Sequence, residues 1–185
     1  TDRVRYGIDN NRVTYTSSSA GVNIDLSGIT GDGSAGSGTA TDGLGGTDTL
    51  INVNIVHGSA HDDTIMGSSA LIFEVFYGEA GNDRIDGGLV TDTLNGDNTN
   101  AVEYGNASAA VNVRLGNATD TANVGVATGG AGDDALFNMT QVRGSAYDDI
   151  LTGWNNANQT EQFEGRGGDD TIDRSEEHTS ELQSP

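Results

Sequence analysis

Seven aspartates of this sequence occupy the same place relative to their neighbours. Asp48, Asp63, Asp83, Asp92, Asp134, Asp149 and Asp170 each stand five residues after a glycine and two residues before a leucine or isoleucine. Short carboxylates set among glycines suit a hard cation. Glycine admits positive φ and leaves main-chain carbonyls uncovered, and Ca2+ takes about six to eight oxygen ligands at about 2.3 to 2.6 Å. The candidate ligand set is therefore those carboxylates together with the main chain at Gly46, Gly58, Gly78, Gly81, Gly87, Gly129, Gly130, Gly132, Gly144, Gly165 and Gly168.

Other chemistries find less support. Gly31, Gly33 and Gly36 satisfy G-x-G-x-x-G, but more Gly, Ser and Thr follow instead of a helix, so residues 28–38 read as a loop on the outside of the molecule. His57 and His61 are the only histidines outside the last twelve residues, and without H-E-x-x-H they read as loop-surface residues. No G-x-S-x-G elbow occurs. The pairs Asp62/Asp63, Asp133/Asp134, Asp148/Asp149 and Asp169/Asp170 recur at matching places, which favours a repeated ion site over acid/base catalysis, and adjacent strand residues face opposite ways. Thr-x-Thr pairs at Thr39/Thr41, Thr47/Thr49, Thr91/Thr93 and Thr119/Thr121 have the spacing of a flat surface-binding array, though threonine is simply a good strand residue. Tyr77, Tyr147 and Trp154, if exposed, offer rings to a polysaccharide or a cell surface.

Composition points the same way as the spacing. Aspartate and glutamate total 28 against 8 arginines and no lysine, a net charge of -20 that excludes a nucleic-acid or anionic-membrane surface built on basic patches. Glycine supplies 28 of 185 residues, while large aliphatic and phenylalanine side chains are scarce. A chain this acidic buries too little apolar surface to offset its conformational entropy unless a cation neutralises the carboxylates. Cysteine is absent, so neither disulfides nor a thiolate zinc site contribute. No apolar run reaches the roughly 18 residues of a membrane span, and the first residues lack the layout of a secretory signal.

The elements that must position the aspartates come in two copies. Val13-Thr14-Tyr15 through Leu26 recurs as Val102-Glu103-Tyr104 through Leu115 at an offset of 89. Residues 58–63 recur as 144–149 at 86, and 78–86 as 165–173 at 87. The expected organisation is a first unit at 1–89 and a second at 90–173, each about 87 residues long. The natural protein is expected to extend in both directions, since Thr1-Asp2-Arg3-Val4 matches Thr91-Asp92-Thr93-Leu94. Residues 174–185 carry the sole proline and resemble a translated sequencing adapter. Arg174 contributes +1 and Glu176, Glu177 and Glu181 contribute -3, so residues 1–173 keep a charge of -18.

Residues 129–137 fit the nine-residue pattern G-G-x-G-x-D-x-U-x at every specified position, U being a large apolar residue. Residues 43–51, 58–66, 78–86, 87–95, 144–152 and 165–173 keep the first glycine, the aspartate and the apolar residue. The chain thereby resembles the hemolysin-type calcium-binding repeats of RTX proteins. It departs where Leu44, Glu79 and Arg166 replace the second glycine and where His61, Tyr147 and Val90 replace the third.

Each x-U-x triplet is expected to form a very short strand whose apolar centre points inward, with almost no helix anywhere. Ladders of Leu50, Ile65, Ile85 and Leu94 and of Leu136, Leu151 and Ile172 follow, with Phe73, Val75, Phe76 and Phe163 filling the core from degenerate turns. Val22 to Leu26 and Val111 to Leu115 alternate as half-buried strands. What the resemblance implies is an all-β parallel β-roll or right-handed β-helix, a solenoid of short strands with several Ca2+ ions between its loops. With one turn spanning about 18 residues, it implies one column of Asp48, Asp63 and Asp83 and another of Asp134, Asp149 and Asp170. Asp92 is expected on the other side, where its would-be partner loop, residues 67–77, offers Ile72 in place of aspartate, so it ranks lower. It further implies a secreted, extracellular bacterial protein exported unfolded by a type I system, with no chemistry of its own in this segment. The alternatives are the accessory part of a secreted metalloprotease, lipase or alginate epimerase, or a segment of an adhesin or surface-layer array.

Overall fold

The computed structural model describes residues 10–88, 99–116, 124–154 and 160–173. They hold eighteen short strands and no helix. The first unit contributes β1 (Arg12–Thr14), β2 (Asn23–Asp25), β3 (Ile29–Thr30), β4 (Ala35–Gly36), β5 (Gly38–Thr41), β6 (Thr47–Leu50), β7 (Ile55–His57), β8 (Thr64–Met66), β9 (Glu74–Tyr77) and β10 (Arg84–Asp86). The second contributes β11 (Asn100–Glu103), β12 (Val111–Arg114), β13 (Gly125–Gly129), β14 (Asp134–Phe137), β15 (Gln141–Arg143), β16 (Ile150–Thr152), β17 (Gln162–Glu164) and β18 (Thr171–Asp173). Asp92 and Leu94 lie outside the described residues, as do Thr91, Thr93, Thr119, Thr121 and residues 174–185.

Strands this short arise because a glycine-bearing turn interrupts each apolar triplet before a longer ladder can form. The chain then steps between two sheets. One is wholly parallel, in the order β1-β7-β9-β11-β15-β17. The other has ten strands in the order β18-β16-β12-β13-β14-β10-β8-β2-β5-β6, parallel except around β5 and β13. Side chains from both sheets meet in a single core. On the parallel sheet Val13, Val56, Phe76, Val102, Val142 and Phe163 stand in register. On the ten-stranded sheet Ile24, Ile65, Ile85 and Leu136 do the same, and Val113, Leu151 and Ile172 form a second row.

Eight strands of the first unit have counterparts in the second at the sequence offsets. β1, β2 and β5 to β10 correspond to β11 to β18, while the hairpin β3-β4 has no counterpart among the described residues. The units join where β9 pairs with β11 and β10 with β14.

Several expectations need correction here. Leu50 does not neighbour Ile65, because β2 and β5 intervene, and Ile65 lies between Ile24 and Ile85. Leu136 likewise belongs beside Ile85 and not beside Leu151. The cause is antiparallel β5 and β13, which carry no nonapeptide signal and push each aspartate strand that follows them two places outward. Residues 28–38 are more than a surface loop, since they form the β3-β4 hairpin with Ile29 fully buried. Phe73 and Phe163 are only half-buried, whereas Phe76 is wholly inside.

Candidate cation site along the aspartate columns

Asp63, Asp83, Asp149 and Asp170 stand just before a strand of the ten-stranded sheet and Asp134 is the first residue of one, and each of these carboxylates crosses to the next strand. Asp134 Oδ1 accepts the Asp83 N–H at 3.0 Å, Asp83 Oδ1 accepts the Asp63 N–H at 2.8 Å, and Asp63 Oδ1 accepts the Val22 N–H at 2.8 Å. In the second unit Asp170 Oδ1 accepts the Asp149 N–H and Asp149 Oδ1 the Val111 N–H, both at 2.9 Å. The structure thus pairs Asp63 with Asp83 and Asp149 with Asp170, the neighbours expected from spacing. It moves Asp134 from the second column to the first, because β14 pairs with β10. Asp48 stands apart for the same reason: its strand lies beyond β2 and β5, and its Oδ2 accepts the Tyr15 hydroxyl at 2.8 Å. Asp134 has the matching bond from Tyr104 at 3.0 Å.

A second ladder runs alongside with the opposite polarity. Asp62 Oδ1 accepts the Asn82 N–H at 2.8 Å and Asn82 Oδ1 the Asp133 N–H at 2.9 Å, while Asp148 Oδ1 accepts the Asp169 N–H at 2.8 Å. These are the neighbours of the column residues, so the paired aspartates bond the main chain in two directions.

The first glycine of the nonapeptide has a definite task. A Cβ at Gly58, Gly78, Gly144 or Gly165 would overlap Oδ2 of Asp63, Asp83, Asp149 or Asp170 respectively. The other candidate glycines serve close main-chain approach: Gly132 lies on the Gly81 carbonyl, Gly130 on Ala109, Gly129 on Ala110, Gly168 on Tyr147 and Gly87 against Asn100. Gly46, on the open edge, has the Asp42 side chain as its nearest neighbour. Glu79 and Arg166, which replace the second glycine, hold the glycine-like conformation with φ of 74° and 76°.

That substitution changes the carboxylate shell. In the Gly-Ser turns, Asp63 Oδ2 accepts the Ser59 N–H at 2.6 Å and Asp149 Oδ2 the Ser145 N–H at 2.5 Å, with the serine hydroxyls on Oδ1. In the Gly-Glu turn, Asp83 Oδ2 is buried with no hydrogen-bond partner. Burial raises the Asp83 carboxyl to about 8, helped by the charges of Asp134, Asp63 and Asp62 and opposed by the Asp63 N–H. Burial raises Asp134 to about 6 and raises Asp63 as well. A carboxyl so placed needs either a proton or a cation.

The donors fit calcium in type and only partly in arrangement. Carboxylate oxygens stand in single file, and among the described residues no three carboxylate or imidazole side chains converge on one point able to hold a metal ion. An ion at Asp83 Oδ2 would have to complete its shell from main-chain carbonyls.

Sequence reasoning missed several polar groups. Glu74 is fully buried in β9, its two oxygens accepting the Ser68 N–H at 3.2 and 3.0 Å, and burial raises it to about 7. Its counterpart Glu161 accepts the Trp154 N–H at 2.8 Å, a repetition that the 87-residue offset could have exposed. His57 is buried, not a loop-surface residue: it ends β7, stacks on Tyr77 with centroids 3.8 Å apart and meets Glu79 Oε1 at 2.6 Å. Of the three aromatics considered for a sugar, only Tyr147 is exposed, since Tyr77 stacks on His57 and Trp154 packs against the core.

No protein-family model matches this chain, and no curated protein matches it at a meaningful level of similarity. No helix among the described residues is long and apolar enough to cross a membrane.

Proposed function

We propose that this chain is a calcium-binding repeat module of the RTX type, a β-roll-like solenoid that folds as Ca2+ neutralises its aspartate columns. The observation that carries the reading is Asp83 Oδ2, a buried carboxylate oxygen without a hydrogen-bond partner in a column of carboxylates. Weak sites, with Kd of about 10^-4 to 10^-3 M, would fill outside the cell and stay empty within it. That suits a secreted protein, in which the module folds after export and performs no chemistry of its own.

A second reading has its own support. Oδ1 of Asp63, Asp83, Asp134, Asp149 and Asp170 each accepts a main-chain N–H, so the aspartates could serve as a purely structural ladder neutralised by protons. Calcium competition against a fluorescent chelator separates the two. Replacing Asp63 and Asp83 together with alanine is expected to weaken calcium binding at least tenfold, while Asp32→Ala, in the exposed β3-β4 hairpin, leaves it unchanged. Equal affinities in the two variants would refute the calcium reading.

A further inference from the structure

Among the described residues, the two outer edges repeat the two halves of the chain's own internal junction. Within the chain, β9 and β10 of the first unit meet β11 and β14 of the second. The counterparts of β9 and β10 are β17 and β18, and those of β11 and β14 are β1 and β6. Among the described residues, these four strands are the outermost strands of the two large sheets. We propose that copies of this chain assemble head to tail, the β17/β18 edge of one copy pairing with the β1/β6 edge of the next in the register of the internal junction. The proposal is independent of whether calcium is the neutralising cation.

The chemistry of the junction survives translation to the ends. At the junction, the Asp83 N–H bonds Asp134, the Ala135 N–H bonds the Asp83 carbonyl at 2.8 Å, and the Asp133 N–H bonds Asn82 Oδ1. Shifted by one unit, these become Asp170 to Asp48, Thr49 to the Asp170 carbonyl, and Thr47 to Asp169 Oδ1, with every donor and acceptor retained. The Asn138 side-chain amide bonds Asp86 at 2.7 Å, and its counterparts Asn52 and Asp173 keep the same pair.

The steric requirement survives too. Gly132 lies so close to the Gly81 carbonyl that a Cβ could not be placed there, and the counterparts Gly46 and Gly168 are both glycine. Gly46 meets no such backbone in the free chain, its nearest neighbour being the Asp42 carboxylate at 3.3 Å. Apolar surface completes the match. Ile85 is fully buried, while its counterpart Ile172 is 49% exposed, and Ile51, counterpart of Phe137, is 66% exposed. An interface of this kind is heterologous, so it extends and does not close on itself as a two-fold dimer.

Sedimentation velocity of the full chain tests this under conditions where circular dichroism shows a strand spectrum. The weight-average mass is expected to rise steadily over a hundredfold range of protein concentration. Thr49→Pro removes the donor on the β6 edge, where proline is compatible with an outer strand, and Ile172→Lys places a charge on the β18 edge. Each variant alone is expected to sediment as a monomer, and an equimolar mixture as a species of twice the monomer mass, since one retains its tail edge and the other its head edge. A wild-type chain that stays monomeric throughout overturns the proposal without recourse to the variants. So does a mixture that remains monomeric, or association of either variant alone.

Discussion

The junction between the two units and the outer edges of the molecule use nearly the same residues in different surroundings. Asp83 and Ile85 sit at β10 with strands on both sides; Asp170 and Ile172 sit at β18 with a strand on one. Ile85 is fully buried and Ile172 half exposed; Asp83 is buried and Asp170 only partly so. Asp134 is buried at the junction, whereas its counterpart Asp48 is exposed on β6, although both keep their tyrosine partner. The nine-residue pattern therefore specifies a position in a stack, and the stack decides how deeply each carboxylate is buried. A single turn buries little, so neighbours supply both the apolar contact and the desolvation.

Substitution of equivalent residues can break that comparison. The largest difference is expected between Ile85→Ala and Ile172→Ala under conditions that fold the protein. The first opens a cavity in the core and should cost about 2 to 5 kcal/mol, the second about 1 kcal/mol or less because its site is already half solvated. Urea midpoints read both, and equal losses would mean that the junction is no better packed than the edge. A smaller contrast separates Gly132→Ala from Gly46→Ala. The inner methyl would strike the Gly81 carbonyl and is expected to destabilise by about 1 to 3 kcal/mol. The outer one would have the Asp42 carboxylate as its nearest neighbour, at 3.3 Å, and should leave the midpoint nearly unchanged.

Much of the local order was legible because glycine and a single apolar residue per triplet set strand and turn so directly. The pairs Ile65–Ile85 and Leu151–Ile172, and the carboxylate pairs Asp63–Asp83 and Asp149–Asp170, follow from spacings of 20 and 21 residues. The partnership of Asp83 with Asp134 did not follow. It spans 51 residues and depends on β13, an antiparallel strand without the glycine pattern that lies between β14 and β12. Glu74 was hidden for a different reason: a buried carboxylate capping a turn has no periodic signature, and only its repetition at Glu161 gives it away.

The perturbed carboxylates set the sign of the pH dependence. Asp83, Glu74 and Asp134 are raised to about 8, about 7 and about 6 by burial. Their protonated forms are thus favoured by folding. Without a cation, the stability they contribute is fully present below the ordinary carboxylate pKa of about 4 and is lost as pH rises through those values. Acid should therefore substitute for calcium.

The most direct test is far-UV circular dichroism of the full chain at about pH 8 with millimolar Ca2+, at about pH 8 with EDTA, and at about pH 5 with EDTA, two pH values between which most of that stability is lost. The expected result is a strand spectrum with calcium, its loss in EDTA at the higher pH, and its return in EDTA at the lower. A strand spectrum at about pH 8 that EDTA leaves unchanged would contradict the claim that the aspartate columns need a cation to fold.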